Sequence, residues 1–160
     1  MKIVVRIVAL VVCLFVFFGE SQGAVAMPAF SLPTAVDGSL VTSETYRGKA
    51  MLITFFATWC PPCLQEIPAL KELHAKFHRQ GFAVVALSVD EGGSSAVARL
   101  VKKADINYQV LMADRTTTKN FGDVVAIPTS FLVNKNGQVV KKYPGFAPHG
   151  ILERDIESVL

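Results

Sequence analysis

Signatures of large cofactors and of nucleic-acid binding are missing from this chain of 160 residues. No run of basic residues occurs, so a nucleic-acid partner has no electrostatic support. No G-x-G-x-x-G follows a strand-like segment, which removes the usual phosphate cradle for a nicotinamide or flavin. Repeats and low-complexity stretches are absent. Only three cysteines and four methionines occur. Cys60 and Cys63 therefore have no second cysteine pair with which to complete a zinc site. Met27, Met51 and Met112 are too few and too scattered for a methionine-rich copper site. The net charge of +3 is small and excludes nothing further.

What is present begins with an export pattern over residues 1–26. Lys2 and Arg6 give a basic start, Ile7 to Phe18 form an apolar run, and Ala24-Val25-Ala26 offers a small-x-small cleavage site. The apolar run is shorter than the 18–20 or so residues that a membrane span needs. A lipoprotein signal does not fit, because Cys13 lies within the apolar run behind bulky Val12. Cleavage after Ala26 removes Cys13 and leaves residues 27–160, enough for one domain with one core. The alternative is an uncleaved anchor in the inner membrane built on residues 7–18. Either reading places the globular part in the periplasm or another extracytoplasmic space, where disulfides persist.

Residues 28–49 read as short extended pieces around the turn Asp37-Gly38. The apolar run from Ala50 to Ala57 predicts a strand buried on both faces. Leu64, Ile67, Leu70, Leu73 and Phe77 then recur at helical spacing, with Gly81 as the stop and Pro68 as an internal kink. Further along, Phe82 to Val89 predicts a second buried strand, and Ser94 to Ala104 a helix capped by Ser94 or Ser95. Tyr108 to Met112 predicts a short strand and Thr116 to Phe121 a short helix. Thr129 to Val133 and Gln138 to Tyr143 read as a hairpin around Asn134-Lys-Asn-Gly137, and Ile151 to Leu160 as a last helix. This order predicts an α/β sheet with helices on both faces.

The chemistry gathers at Trp59-Cys60-Pro61-Pro62-Cys63. Cys60 falls where the first buried strand gives way to the helix. Free N–H groups and the helix dipole favour negative charge there, so a thiol in that place is a better nucleophile. Cys63 lies one turn further in and is expected to be more buried. Cys60 would attack a disulfide and Cys63 would resolve the mixed disulfide. A structural staple is the competing reading, but so small a loop adds little stability. His74 and His78 share an i, i+4 spacing that reads as solvated polar positions, too far along the helix to share a metal with Cys63. No metal ligand set is expected.

Taken together, these residues resemble the thioredoxin superfamily over about residues 28–160. Trp59-Cys-Pro-Pro-Cys63 is similar to its active-site motif, Pro68 to its helix-kink proline, and Ile127-Pro128-Thr129 to its cis-proline segment. Three features narrow the resemblance to the TlpA/ResA-type branch of exported thiol–disulfide oxidoreductases. They are the N-terminal extension from Phe30 to Lys49, the long interval from Cys63 to Pro128, and Glu66 beside the thiols. The resemblance implies a thioredoxin fold: a central mixed sheet flanked by helices, with an N-terminal β extension and an extra strand–helix insert. It also implies a cis Pro128 and an Ile127 backbone free to pair with an extended substrate strand. Trp59, Pro61 and Pro62 would line the same surface.

The chain departs from thioredoxin at Thr54, which stands where that family carries a buried aspartate. Glu66 is the candidate replacement, its pKa raised by burial so that it can exchange a proton with Cys63. The competing reading is an exposed glutamate paired with Lys71.

Pro61 and Pro62 both lack N–H groups, which leaves the Cys63 N–H as the nearest backbone donor to a Cys60 thiolate. Fewer donors stabilise the thiolate less, and this favours a disulfide reductase over a strong oxidant. No cofactor is expected beyond the Cys60–Cys63 dithiol itself. The resemblance implies a membrane thiol-electron transporter as reductant, and apocytochrome c or another exported protein as substrate. Two alternatives stay open: a general disulfide oxidase or isomerase, and a Cu(I)-binding chaperone on the same scaffold.

Overall fold

The structure is a computed structural model, described for residues 25–160. Cys13 and the export pattern, apart from Val25 and Ala26, lie outside the described residues. The strands are β1 (Val25–Ala26), β2 (Ser31–Pro33), β3 (Leu40–Thr42), β4 (Ala50–Phe56), β5 (Phe82–Ser88), β6 (Gln109–Met112), β7 (Thr129–Val133) and β8 (Gln138–Pro144). The α-helices are α1 (Pro61–Phe77), α2 (Ser94–Lys103), α3 (Arg115–Asn120) and α4 (His149–Glu157).

Six strands form one sheet in the order β1-β8-β7-β4-β5-β6. β4 pairs with β5, and β5 with β6, in parallel; the other pairings are antiparallel. The central strands β4 and β5 are buried along their whole length. Their alternate side chains therefore point into two separate cores. Leu52 and Phe56 join Leu70, Leu73 and Phe77 of α1, Val97 of α2, and Leu152 and Ile156 of α4. On the opposite side Met51, Ile53 and Phe55 join Phe121, Phe131, Phe30, Leu32 and Tyr46. Helices thus cover both faces, but unevenly. One face takes α1, α2 and α4, and the other is closed by the end of the short α3 and the N-terminal segment.

The N-terminal hairpin β2–β3 docks beside β6 through Ala35 N–H to Val110 C=O at 2.9 Å. It thereby covers an edge that would otherwise be open to strand addition.

Several boundaries differ from the sequence reading for local reasons. Helix α2 begins after Gly93, with no side-chain cap from Ser94 or Ser95. α3 starts earlier than predicted because Asp114 caps it, accepting from Thr117 N–H at 2.7 Å. α1 is continuous from Pro61 to Phe77 and carries Pro68 on its exposed side, as an internal proline. A 3-10 turn, His78–Gln80, intervenes before Gly81, which takes φ +84 as its C-cap. Val25 and Ala26, read as part of a cleavage site, pair with Val139 and Gln138 as the exposed edge strand β1.

Candidate redox site

β4 delivers the site. After Phe56 the chain turns through Ala57-Thr58-Trp59-Cys60, and α1 starts at Pro61. Cys60 is the N-cap, in extended conformation, and its Sγ accepts from the Cys63 N–H at 3.4 Å. Cys60 and Cys63 are joined by a disulfide, with Cα atoms 5.3 Å apart. An ordinary first turn offers several free N–H groups. Pro61 and Pro62 remove two of them, so the first donor of α1 is the Cys63 N–H, and it faces sulfur. The expected difference in burial does not appear: Cys60 is 4% exposed and Cys63 3%. The closed bond ties both sulfurs into the same core cluster.

On the solvent side Trp59 is 67% exposed, and Pro61 and Pro62 are exposed beside it. Trp59 and Ile127, with Val89, Asp90, Asp114 and Val125, line an open groove of about 590 Å³. Ile127 is half-buried, Pro128 is buried, and the bond between them is cis. Val125 projects almost fully into solvent. Trp59, Val125 and Ile127 give this groove an apolar wall, and Trp59 is the chain neighbour of Cys60.

The buried side is different. Glu66 is 3% exposed, and its Oε1 accepts from the Ala147 N–H at 2.8 Å. Burial pushes its carboxyl above the ordinary range, and the hydrogen bond from Ala147 opposes this more weakly. Glu66, Cys63, Thr54 and Tyr108 line one small cavity of about 10 Å³, roughly the space of a single water. Thr54 accepts from Ser130 Oγ at 2.9 Å, fastening β4 to β7. Burial, and secondarily the Glu66 charge, pushes the Tyr108 hydroxyl up. The arrangement sets a buried carboxyl and the second cysteine around a shared void.

The reading of Glu66 as an exposed partner of Lys71 is overturned. Lys71 Nζ donates instead to Ala104 C=O at 2.8 Å, with Asp105 beyond it. His74 is no solvated position either: it is half-buried, and its Nδ1 accepts from the Val84 N–H at 3.2 Å. Burial, helped by His78, lowers its pKa.

Sequence reasoning missed four groups at the site. The Ala147 N–H is a backbone donor with no side-chain signature. The loop that carries it also sends the Gly145 N–H to Pro128 C=O at 2.8 Å, so one loop touches both sides of the site. Tyr108 was read only as a strand residue, and Val125 went unmarked. Asp90 follows a strand end as Ser88-Val89-Asp90, and nothing in its spacing to Thr58 announces the hydrogen bonds between them.

Four matches to known proteins bear on the site. The redoxin family profile matches residues 22–160. Thiol-disulfide oxidoreductase ResA of Geobacillus kaustophilus is 32% identical over 147 residues, covering 89% of this chain and 83% of the relative. Its namesake in Bacillus subtilis is 33% identical over 133 residues, covering 81% and 73%. A solved thiol:disulfide interchange protein of the thioredoxin family, from Chlorobium tepidum, superposes with a TM-score of 0.80 at 31% identity. That match covers 88% of this chain and 99% of the neighbour.

Proposed function

The chain belongs to the redoxin family, as a TlpA/ResA-type thiol–disulfide oxidoreductase of the thioredoxin superfamily, and from that premise we propose that it is an exported disulfide reductase. The observation that carries the direction is the cap of α1. Cys60 Sγ has one backbone donor from the first turn, the Cys63 N–H, because Pro61 and Pro62 supply none. A thiolate with few donors is only modestly stabilised, and the reduced form gives up its electrons more readily.

In the reductive half-cycle the Cys60 thiolate attacks one sulfur of a substrate disulfide. The substrate bond breaks, and its leaving sulfur takes up a proton. Glu66 receives the proton of the Cys63 thiol. Cys63 then attacks Cys60 Sγ, the mixed disulfide breaks, and the second substrate sulfur leaves as a thiolate. Two electrons have passed to the substrate, and the Cys60–Cys63 disulfide is closed. Glu66 suits this role because burial holds its pKa up, toward that of a thiol.

Trp59, Pro61, Pro62 and Ile127 would form the substrate surface, with Pro128 beneath it. An extended substrate segment would pair with the Ile127 backbone. Export would follow from residues 1–26, with a membrane thiol-electron transporter restoring the dithiol. An exported protein disulfide such as that of apocytochrome c would be the substrate.

The test is trapping with Cys63→Ser in the exporting host. Without its resolving thiol, Cys60 should accumulate mixed disulfides with extracytoplasmic proteins, and Cys60→Ser should trap none. Equal trapping by both variants would overturn the assignment of attacker and resolver.

A further inference from the structure

The turn that carries Trp59 and Cys60 is fastened from outside its own helix. Thr58 N–H donates to Asp90 Oδ2 at 2.9 Å, and Thr58 Oγ1 donates to Asp90 Oδ1 at 2.5 Å. Ser88 Oγ donates to Asp90 Oδ2 at 2.8 Å, and the Asp90 N–H donates back to Ser88 Oγ at 3.1 Å. Beside this clamp the Val89 N–H donates to Phe56 C=O at 2.9 Å, the last rung between the ends of β5 and β4. One carboxylate thus joins the end of β5 to the residue two before the attacking cysteine. It is half-buried and lines the same groove as Trp59 and Ile127.

The turn needs such a fastening. Past the Phe56–Ser88 pair the ladder between β4 and β5 has ended. Pro61 and Pro62 bring no N–H groups to the start of the helix. Within the turn, the Cys60 N–H reaches Ala57 C=O at 3.2 Å. Among the described residues, the hydrogen bonds that hold Thr58 are those to Asp90. A nucleophile displaced by about an ångström loses on the order of a hundredfold in rate.

We propose that Asp90 is a positioning residue for thiol–disulfide exchange: by clamping Thr58 it sets Cys60 over the first turn of α1 and Trp59 along the substrate groove. The inference rests on exchange at Cys60 and is independent of whether the enzyme reduces or oxidises. Asp90 acts through hydrogen bonds. An asparagine there can accept from the Thr58 N–H with its oxygen and donate to Thr58 Oγ1 with its nitrogen, because a hydroxyl can reverse its role. An alanine leaves both Thr58 groups unheld.

The test compares the wild-type full chain with Asp90→Ala, Asp90→Asn, Thr58→Val and Cys60→Ser. Two quantities are read: kcat/KM for reduction of insulin disulfides by dithiothreitol, and the pH profile of alkylation of reduced Cys60 by iodoacetamide. Asp90→Ala should lower kcat/KM by roughly 10- to 100-fold and displace the alkylation profile. Thr58→Val, which keeps the backbone bond, should fall between it and the wild type. Asp90→Asn should restore both quantities close to wild-type values.

Equal defects in Asp90→Ala and Asp90→Asn would assign the effect to charge and overturn the proposal. So would an Asp90→Ala protein with a lower melting temperature but wild-type kinetics and alkylation profile. A wild-type protein no more active than Cys60→Ser would instead defeat the reading of the redox site itself.

Discussion

One face of the sheet is built on an aromatic cluster; the other carries sulfur, a carboxyl and a small cavity between them. On the first, Phe55 meets Phe121 edge-on at 5.4 Å and Phe131 at 6.0 Å, and Phe121 meets Phe131 at 5.3 Å. Such edge-to-face contacts add to the burial of large apolar area. On the second, Cys60 and Cys63 lie in the core cluster and Glu66 is buried beside them. The same two strands, β4 and β5, feed both faces through alternate residues. The aromatic face can therefore offset what a buried carboxyl and a void cost on the other. Stability and chemistry are separated by the two-residue period of a strand, and each can be attacked alone.

The largest expected effect is on the chemical face. Cys60→Ser should abolish disulfide exchange while leaving the protein folded, as read by insulin reduction and by circular dichroism. Phe131→Ala strikes the other face, and should cost about 3–5 kcal/mol in urea unfolding. Its effect on exchange per folded molecule should be far smaller. If it silences exchange in fully folded protein, the two faces are not separable.

Glu66→Gln comes next. Because the folded pKa of Glu66 is raised, the wild type should lose stability as pH climbs from about 4.5 through the folded value. Glutamine removes that loss and keeps an acceptor for the Ala147 N–H. The variant should also lose a pH-dependent step in Cys63 reactivity during single-turnover exchange. An unchanged pH profile of both stability and exchange would remove Glu66 from the proton path.

The smallest effect concerns His74, which lies away from the sulfurs. Its folded pKa is lowered, so its contribution to stability is present above about 6.5 and is lost as pH falls below that. His74→Gln should flatten the acid limb of a plot of melting temperature against pH without touching exchange.

Much of this fold could be read along the chain, because β4, β5 and α1 carry their burial in plain periodicity. The nearly all-apolar run from Ala50 to Ala57 read as a doubly buried strand, and the Leu64 to Phe77 spacing as one helix face. The order of Trp59, Cys60, Pro68 and Pro128 then pointed to the site. Groups that act through the backbone were hidden. Neither the Ala147 N–H beneath Glu66 nor the Thr58 N–H held by Asp90 leaves a mark in residue type. Glu66 itself could be located but not its burial, since a glutamate one turn past Cys63 reads equally as solvated until the segment leading into β6 brings Tyr108 and the loop after β8 brings Ala147. The cap of α2 and the start of α3 were hidden for a similar reason. Ser94 and Ser95 are competent caps, but the N-cap conformation falls on Gly93, and Asp114 in extended conformation starts α3 one residue earlier than Thr116.

The central claim is that a Cys60 cap with one backbone donor makes this couple reducing. The midpoint potential of the Cys60–Cys63 pair, measured by equilibration with a dithiol buffer at pH 7, tests it most directly. A value clearly below about −180 mV, toward the roughly −270 mV of a thioredoxin, is expected. A value near the −120 mV or so of a dedicated disulfide donor would contradict it.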